Sequence, residues 1–416
     1  MRPLKEFVNM RLAMLGTVLC LAACSEVVSA GEGDAAAHGD ARVAADVAPL
    51  ADAGLAADVA PSADAGLAAD VAPSADAAAA GGCAFSQMVG VGRGSEASLS
   101  VTSEGALAVW RDPSSPTVLR YVRAHVDGRT LERGALSLGR EASGRALVDV
   151  SAGQGLFAAG DAMIAFAVTE RGLALQSPLS LEGRLARAVQ MRSETLRTVF
   201  TADTAVFYAN ATRGSFNEPN AMHAPHSPDA TLTTNVNGGG YWSFEAGPDR
   251  LSVRSFIFGH GAVIEGNRAE LPLRAVSPVV VQGSSAMVVT AAEGRTVQPM
   301  LARFDAQGGG RVDAEVSLPL PPAWGRLSAR IAVGARPGDG FVTSAAFPAG
   351  GGYNNGLWIH WFGHRIASLV EQRTQESSMA VVDARYDDAR RLGWILTADD
   401  DANAASPLRL RCVARP

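Results

Sequence analysis

The feature that most constrains this chain is a unit that recurs from residue 83 onward: a strand, a turn containing Gly, Asp or Arg, then a weaker strand. Asp127-Gly128 follows RYVRAHV, Arg171-Gly172 follows AFAVTE, Arg213-Gly214 follows VFYANAT, and Gly259-His260 follows RSFIF. Asp305-Ala306 then follows LARF and Gly363-His364 follows IHWF, so that successive turns lie 44, 42, 46, 46 and 58 residues apart. Short apolar or alternating runs fill the intervals, among them Ala106 to Trp110, Val118 to Val126, Ala162 to Val168, Leu251 to Phe258, Ser285 to Val289, Gln298 to Phe304 and Gly356 to Phe362. Gly, Asp, Asn and Pro separate them, and no stretch keeps a 3.6-residue period, so the fold class expected for residues 83–416 is all-β.

A period of this length resembles that of a β-propeller, whose blades are four-stranded antiparallel sheets. The WD, kelch and Asp-box signatures are absent, so the resemblance concerns architecture and names no subfamily. Pro407 to Arg415, PLRLRCVAR, matches the strand that elsewhere precedes the turn, which makes seven units, the last lacking its outer strand. Cys83 to Val91, CAFSQMVGV, stands before the first complete unit and is expected to supply it, closing a seven-bladed ring that leaves no sheet edge open. Trp110, Tyr121, Phe166, Phe207, Phe256, Phe304, Trp358 and Phe362 fall in the strands and read as wedges between blades.

The first 82 residues are of another kind. Arg2, Lys5 and Arg11 precede an apolar run from Leu12 to Ala23, too short for a permanent membrane helix. It ends Leu21-Ala22-Ala23-Cys24 and resembles the bacterial lipoprotein signal, which implies that residues 1–23 are removed and that Cys24 carries the acyl chains, palmitate among them. Ser25 stands where an Asp would retain such a protein at the inner membrane, so the resemblance implies an exported, lipid-anchored protein of the cell outer membrane. Cleavage after Val28-Ser29-Ala30 is the alternative and would release a soluble protein; Met10 is a second candidate start. Residues 44–79 then repeat AADVAPLADAGL, AADVAPSADAGL and AADVAPSADAAA. A twelve-residue repeat with Pro at its centre and no aromatic cannot bury a core, so residues 24–82 are expected to be a disordered, acidic tether reaching on the order of 40 Å. Of the four cysteines this leaves Cys83 and Cys412, at the two ends of an exported domain, as a disulfide pair; two buried free thiols are the alternative.

Charge sharpens what the body does. Residues 25–82 hold one basic and ten acidic groups, whereas residues 83–416 hold 32 basic and 31 acidic. A neutral body argues against nucleic acid as a partner. Tyr241-Trp242 and Tyr353 adjoin Gly238-Gly239-Gly240 and Gly350-Gly351-Gly352, and are candidate ligand-binding aromatics, placed to stack on a sugar or peptide if they lie at loop edges. His223 and His226, with Asp229, have the spacing of zinc ligands but sit in a loop rich in Pro and Asn. His260 and His364 recur after the same Phe-Gly turn, which favours a local turn role. Asp399, Asp401 and Asn403 alternate like the start of a calcium loop, yet Ala404 and Leu410 replace the glycine and the bidentate acid such a loop needs, so no metal is expected. Asp383, Asp387 and Asp388 are acidic residues with no spacing diagnostic of paired-carboxylate catalysis. Neither a nucleophile elbow nor a phosphate loop is present, and no cofactor is expected. The reading that follows is a surface-anchored, non-enzymatic binding or scaffolding lipoprotein whose partner is a glycan, a peptide or a surface protein. The alternative is an extracellular polysaccharide hydrolase or lyase on the same scaffold, which requires Asp, Glu, His or Arg groups converging in a central cleft.

Overall fold

The computed structural model describes the chain from residue 83 to residue 416, apart from 142, 192–195, 202–203, 213–214, 217–219, 224–229, 235–239, 259–262, 283, 291–298, 306–311, 319–323, 337–338, 349–355, 363–368, 376–379 and 400–402, together with the side chains that border several of those segments. Among the described residues the strands form seven antiparallel sheets, the blades of a propeller. The first blade shows the plan, running outward in chain order through Ala97–Val101, Gly105–Arg111, Val118–His125 and Thr130–Ser137. The fourth blade repeats it with Thr231–Thr234, Gly240–Ala246, Leu251–Phe258 and Val263–Leu271, and the sixth with Trp324–Val333, Gly340–Pro348, Gly356–Phe362 and Leu369–Gln375. The second and third blades begin at Leu147–Ser151 and Ala188–Met191, and in each the outer edge of the third strand is shared by two short strands. The fifth begins at Val280–Gln282.

The seventh blade joins the two ends of the described body. Its inner three strands are Ala380–Asp387, Leu392–Ala398 and Ala405–Ala414, and its fourth is Ala84–Arg93, antiparallel to the last of these in a register that sets Phe85 opposite Cys412 and Arg93 opposite Ala405. Cys83 and Cys412 are disulfide-bonded, with Cα atoms 5.4 Å apart and a sequence separation of 329. The strand–turn–strand unit legible in the sequence is thus the third and fourth strand of each blade.

A blade is covered on both faces, and its strands therefore read as continuous apolar runs. Gly356–Phe362, GLWIHWF, and Leu392–Ala398, LGWILTA, are buried at every position. Seven clusters of buried side chains fill the seven spaces between neighbouring blades: Phe157 and Tyr121 between the first and second, for example, and Trp394, Leu408 and Trp110 between the seventh and first. Ring closure is what completes the last of these, since Val89 of the fourth strand packs in the same cluster as Trp110. Where a wedge is large its partner is small: Gly155 pairs with Phe166 across the second blade and Gly134 with Tyr121 across the first. A Cβ at either glycine would collide with the opposing ring, so the missing side chain makes room for the aromatic.

Candidate binding site in the central channel

The inner strands surround a channel with a cavity volume of about 460 Å³, lined by one or more residues from every blade: Ser98, Val148, Ala188, Leu232, Val280, Arg330 and Asp383 in order. Six charged residues line it as well, counting Arg330 and Asp383 again: the arginines 145, 187, 330 and 385 and the aspartates 149 and 383. The four guanidiniums exceed the two carboxylates by two charges, in a body whose overall charge is close to zero.

Three of the arginines are fixed by the blade next to their own. Arg145 Nε donates to the carbonyl of Ala97 at 2.8 Å, Arg330 Nε to that of Val382 at 2.9 Å, and Arg385 Nε to that of Leu99 at 2.8 Å. These bonds cross from the second blade to the first, from the sixth to the seventh and from the seventh to the first. They hold the guanidiniums in place before anything binds.

Asp383 is the hub of the cluster. Its Oδ2 accepts from the backbone N–H of Leu99 at 3.0 Å and from Arg145 Nη2 at 3.2 Å, with Arg385 Nη2 at 3.6 Å, while its Oδ1 accepts from the N–H of Ala384 at 2.9 Å. Burial pushes its carboxyl upward, but Arg385, Arg145, the Leu99 N–H and Arg330 together outweigh that and hold it below the ordinary carboxylate value. Arg330 is different. Its Nη1 donates to the carbonyl of Ala329 at 2.9 Å, so that its described partners are all neutral, and burial together with the like charge of Arg145 lowers its pKa to about 10.

The residues singled out in the sequence lie elsewhere. Tyr241 and Trp242 are both buried, at 1% and 3% exposure, in the second strand of the fourth blade. Being successive strand residues they face opposite ways, Tyr241 toward Phe200 of the third blade at 5.2 Å and Trp242 into the cluster shared with the fifth. Both rings are buried, so neither offers a face for stacking on a ligand. Tyr353, His226, Asp229, His260, His364 and Asp401 lie outside the described residues, as do residues 1–82 with Cys24. His223 ends a strand opposite Thr204. Asp399 is bonded to Arg409 Nε at 2.8 and 3.0 Å, Asp387 to Arg390, and Asp388 accepts the backbone N–H of Ala335 in the sixth blade. Of the acidic residues noted in the sequence, only Asp383 reaches the channel among the described residues. The arginines were missed because no motif joins them: the seven inner strands, far apart in the chain, bring them together.

No family model matches the sequence, and no curated protein does. Among solved structures, the β-propeller domain of Myceliophteria thermophila Cps50 (Swd1) superposes with a TM-score of 0.50 at 11% identity, covering 79% of this chain and 99% of that one. A chain of a mitotic checkpoint complex (TM-score 0.47, 10% identity, 85% and 99% covered) and virginiamycin B lyase from Staphylococcus aureus (TM-score 0.46, 11% identity, 80% and 99% covered) follow. At such identities the likeness is one of fold, and the fold is that of a β-propeller.

Proposed function

We propose that the chain is a lipid-anchored binding protein, held at the outer membrane through Cys24, spaced from it by residues 25–82, and taking its ligand, a glycan, a peptide or a surface protein's loop, into the central channel of the propeller. The observation that carries this reading is the state of Asp383. A glycosidase needs one carboxyl raised so that it is protonated at neutral pH, and a lyase needs a base whose pKa lies near the working pH. Asp383 is shifted the other way, and the arginines around it are permanently charged donors, which suits recognition better than proton transfer. A cavity of about 460 Å³ lies within the ~300–1,000 Å³ range of small-ligand sites.

Two measurements on the full chain test the proposal. Replacing Cys24 by Ala is expected to move the protein from the membrane fraction to the soluble fraction; retention on the membrane would refute the anchor. Glycan and peptide arrays are expected to return saturable binding that Ala188→Trp abolishes by narrowing the channel; Ala188 also packs against Phe200, Tyr241 and Phe256, so a retained cooperative unfolding transition is the control that the blades still form. Binding that survives this substitution would place the ligand elsewhere, and turnover of an array polysaccharide would replace the binding reading with the enzymatic one.

A further inference from the structure

We infer that the channel is built to hold a compact anion bearing two or more negative charges, of the phosphate or polycarboxylate kind; this rests on the channel being the binding site and specifies what enters it. Charge balance is the first argument. Asp383 is within ion-pairing distance of Arg145 and Arg385, but its side chain makes no hydrogen bond to Arg330, whose described bonds go to the carbonyls of Val382 and Ala329. Arg187, at the start of the third blade's inner strand, has an exposed side chain and no described side-chain partner. The protein has thus gathered four guanidiniums around one cavity and left two positive charges uncompensated. Like charges brought this close repel, and a multivalent anion at their centre removes the repulsion.

Donor geometry is the second. Because Nε of Arg145, Arg330 and Arg385 is taken by a backbone carbonyl, each side chain is anchored at its stem while other nitrogens stay available. Among the described residues Arg145 Nη1, Arg330 Nη2 and Arg385 Nη1 have no protein partner; neither of the first two is a buried unsatisfied atom, and the Arg385 side chain is 44% exposed, so these donors face solvent. With the Arg187 guanidinium these donors come from four directions around the channel wall, in the second, third, sixth and seventh blades. Charge-assisted bonds from fixed guanidiniums are the strongest way a protein recognises phosphate and carboxylate oxygens. A neutral sugar would leave the same excess charge unanswered.

The lowered pKa of Arg330 agrees with a cation whose burial and like-charged neighbour Arg145 outweigh the attraction of Asp383. An alternative role for the arginines is purely mechanical, as struts between blades, and the two roles separate experimentally.

The test is calorimetric titration of the full chain, at constant ionic strength, with inorganic phosphate and with citrate as two separate probes, against chloride and neutral sugars as references. Saturable binding of phosphate, citrate or both is expected, and the arm that binds tells a phosphoryl ligand from a polycarboxylate. Arg330→Gln and Arg187→Gln are each expected to weaken that binding by about tenfold or more. Arg187→Gln removes no described interblade bond, so its effect is free of any change in folding. Phosphate and citrate both binding no better than chloride would overturn the inference, and so would undiminished binding by both variants. Array binding that Ala188→Trp still abolishes would then show the channel reading intact and only the anion wrong; loss of both would sink the two together.

Discussion

Replacing both Cys83 and Cys412 by Ala in the full chain is expected to lower the melting temperature by about 7 °C. The bond closes a loop of 329 residues, and removing it restores roughly 5 kcal/mol of chain entropy to the unfolded state. For a folded body of this size that loss corresponds to the stated shift, since unfolding entropy grows by roughly 2 cal/mol/K per residue. The folded side changes little. Strand Ala84–Arg93 keeps its register against Ala405–Ala414, the Phe85 ring keeps its edge contact with Trp394 at 5.7 Å, and both cysteines are nearly fully buried, so their removal exposes little new surface. The double variant avoids an unpaired thiol, which a single variant would leave. Differential scanning calorimetry of the two proteins decides the matter: a shift under about 1 °C would mean that strand pairing alone closes the ring and that the disulfide contributes little.

The ring was legible because its closure leaves local marks. A strand without its turn partner at Pro407 to Arg415, and a partnerless strand at Cys83 to Val91, follow from the blade being a local unit, and two cysteines mark the ends of the repeat. Strand bounds read from apolar runs came within two residues, as at Leu251–Phe258 and Gly356–Phe362. The site was not legible, and the reason is also physical. A propeller draws its channel wall from one short strand per blade, so the residues that meet there are spread along the chain, from Ser98 to Arg385. Charge summed over residues 83–416 is nearly zero and conceals a local excess. Tyr241 and Trp242 misled for a related reason: a run of glycines suggested an open loop, but a second strand begins at Gly240, and a blade buries both its faces.

Asp383→Asn is expected to destabilise the protein by about 3–5 kcal/mol at neutral pH, because it leaves three guanidiniums around a neutral amide where a carboxylate had been. The pH dependence identifies the cause. Asp383 has a folded pKa below the ordinary 3.8, so it binds protons less readily when folded; its contribution is complete above that value and is lost as pH falls through the lower folded value. His360, fully buried in the sixth blade, acts in a separate window. Burial lowers its pKa from 6.5 to about 4, so the unfolded chain takes up the proton first and stability declines by about 3 kcal/mol as pH falls from 6.5 to 4, then levels. Urea midpoints from pH 7 to pH 2 should therefore fall in two steps for the wild type. Asp383→Asn should start lower, keep the upper step, and lose Asp383's share of the step below pH 4. An unchanged lower step would assign that acid limb to other carboxylates. The same substitution separates a strut from a site. If the channel takes anions, removing its central negative charge raises the positive excess from two to three, and phosphate should bind more tightly to a protein that is itself less stable. If Asp383 serves only to tie blades together, stability falls and phosphate affinity does not rise.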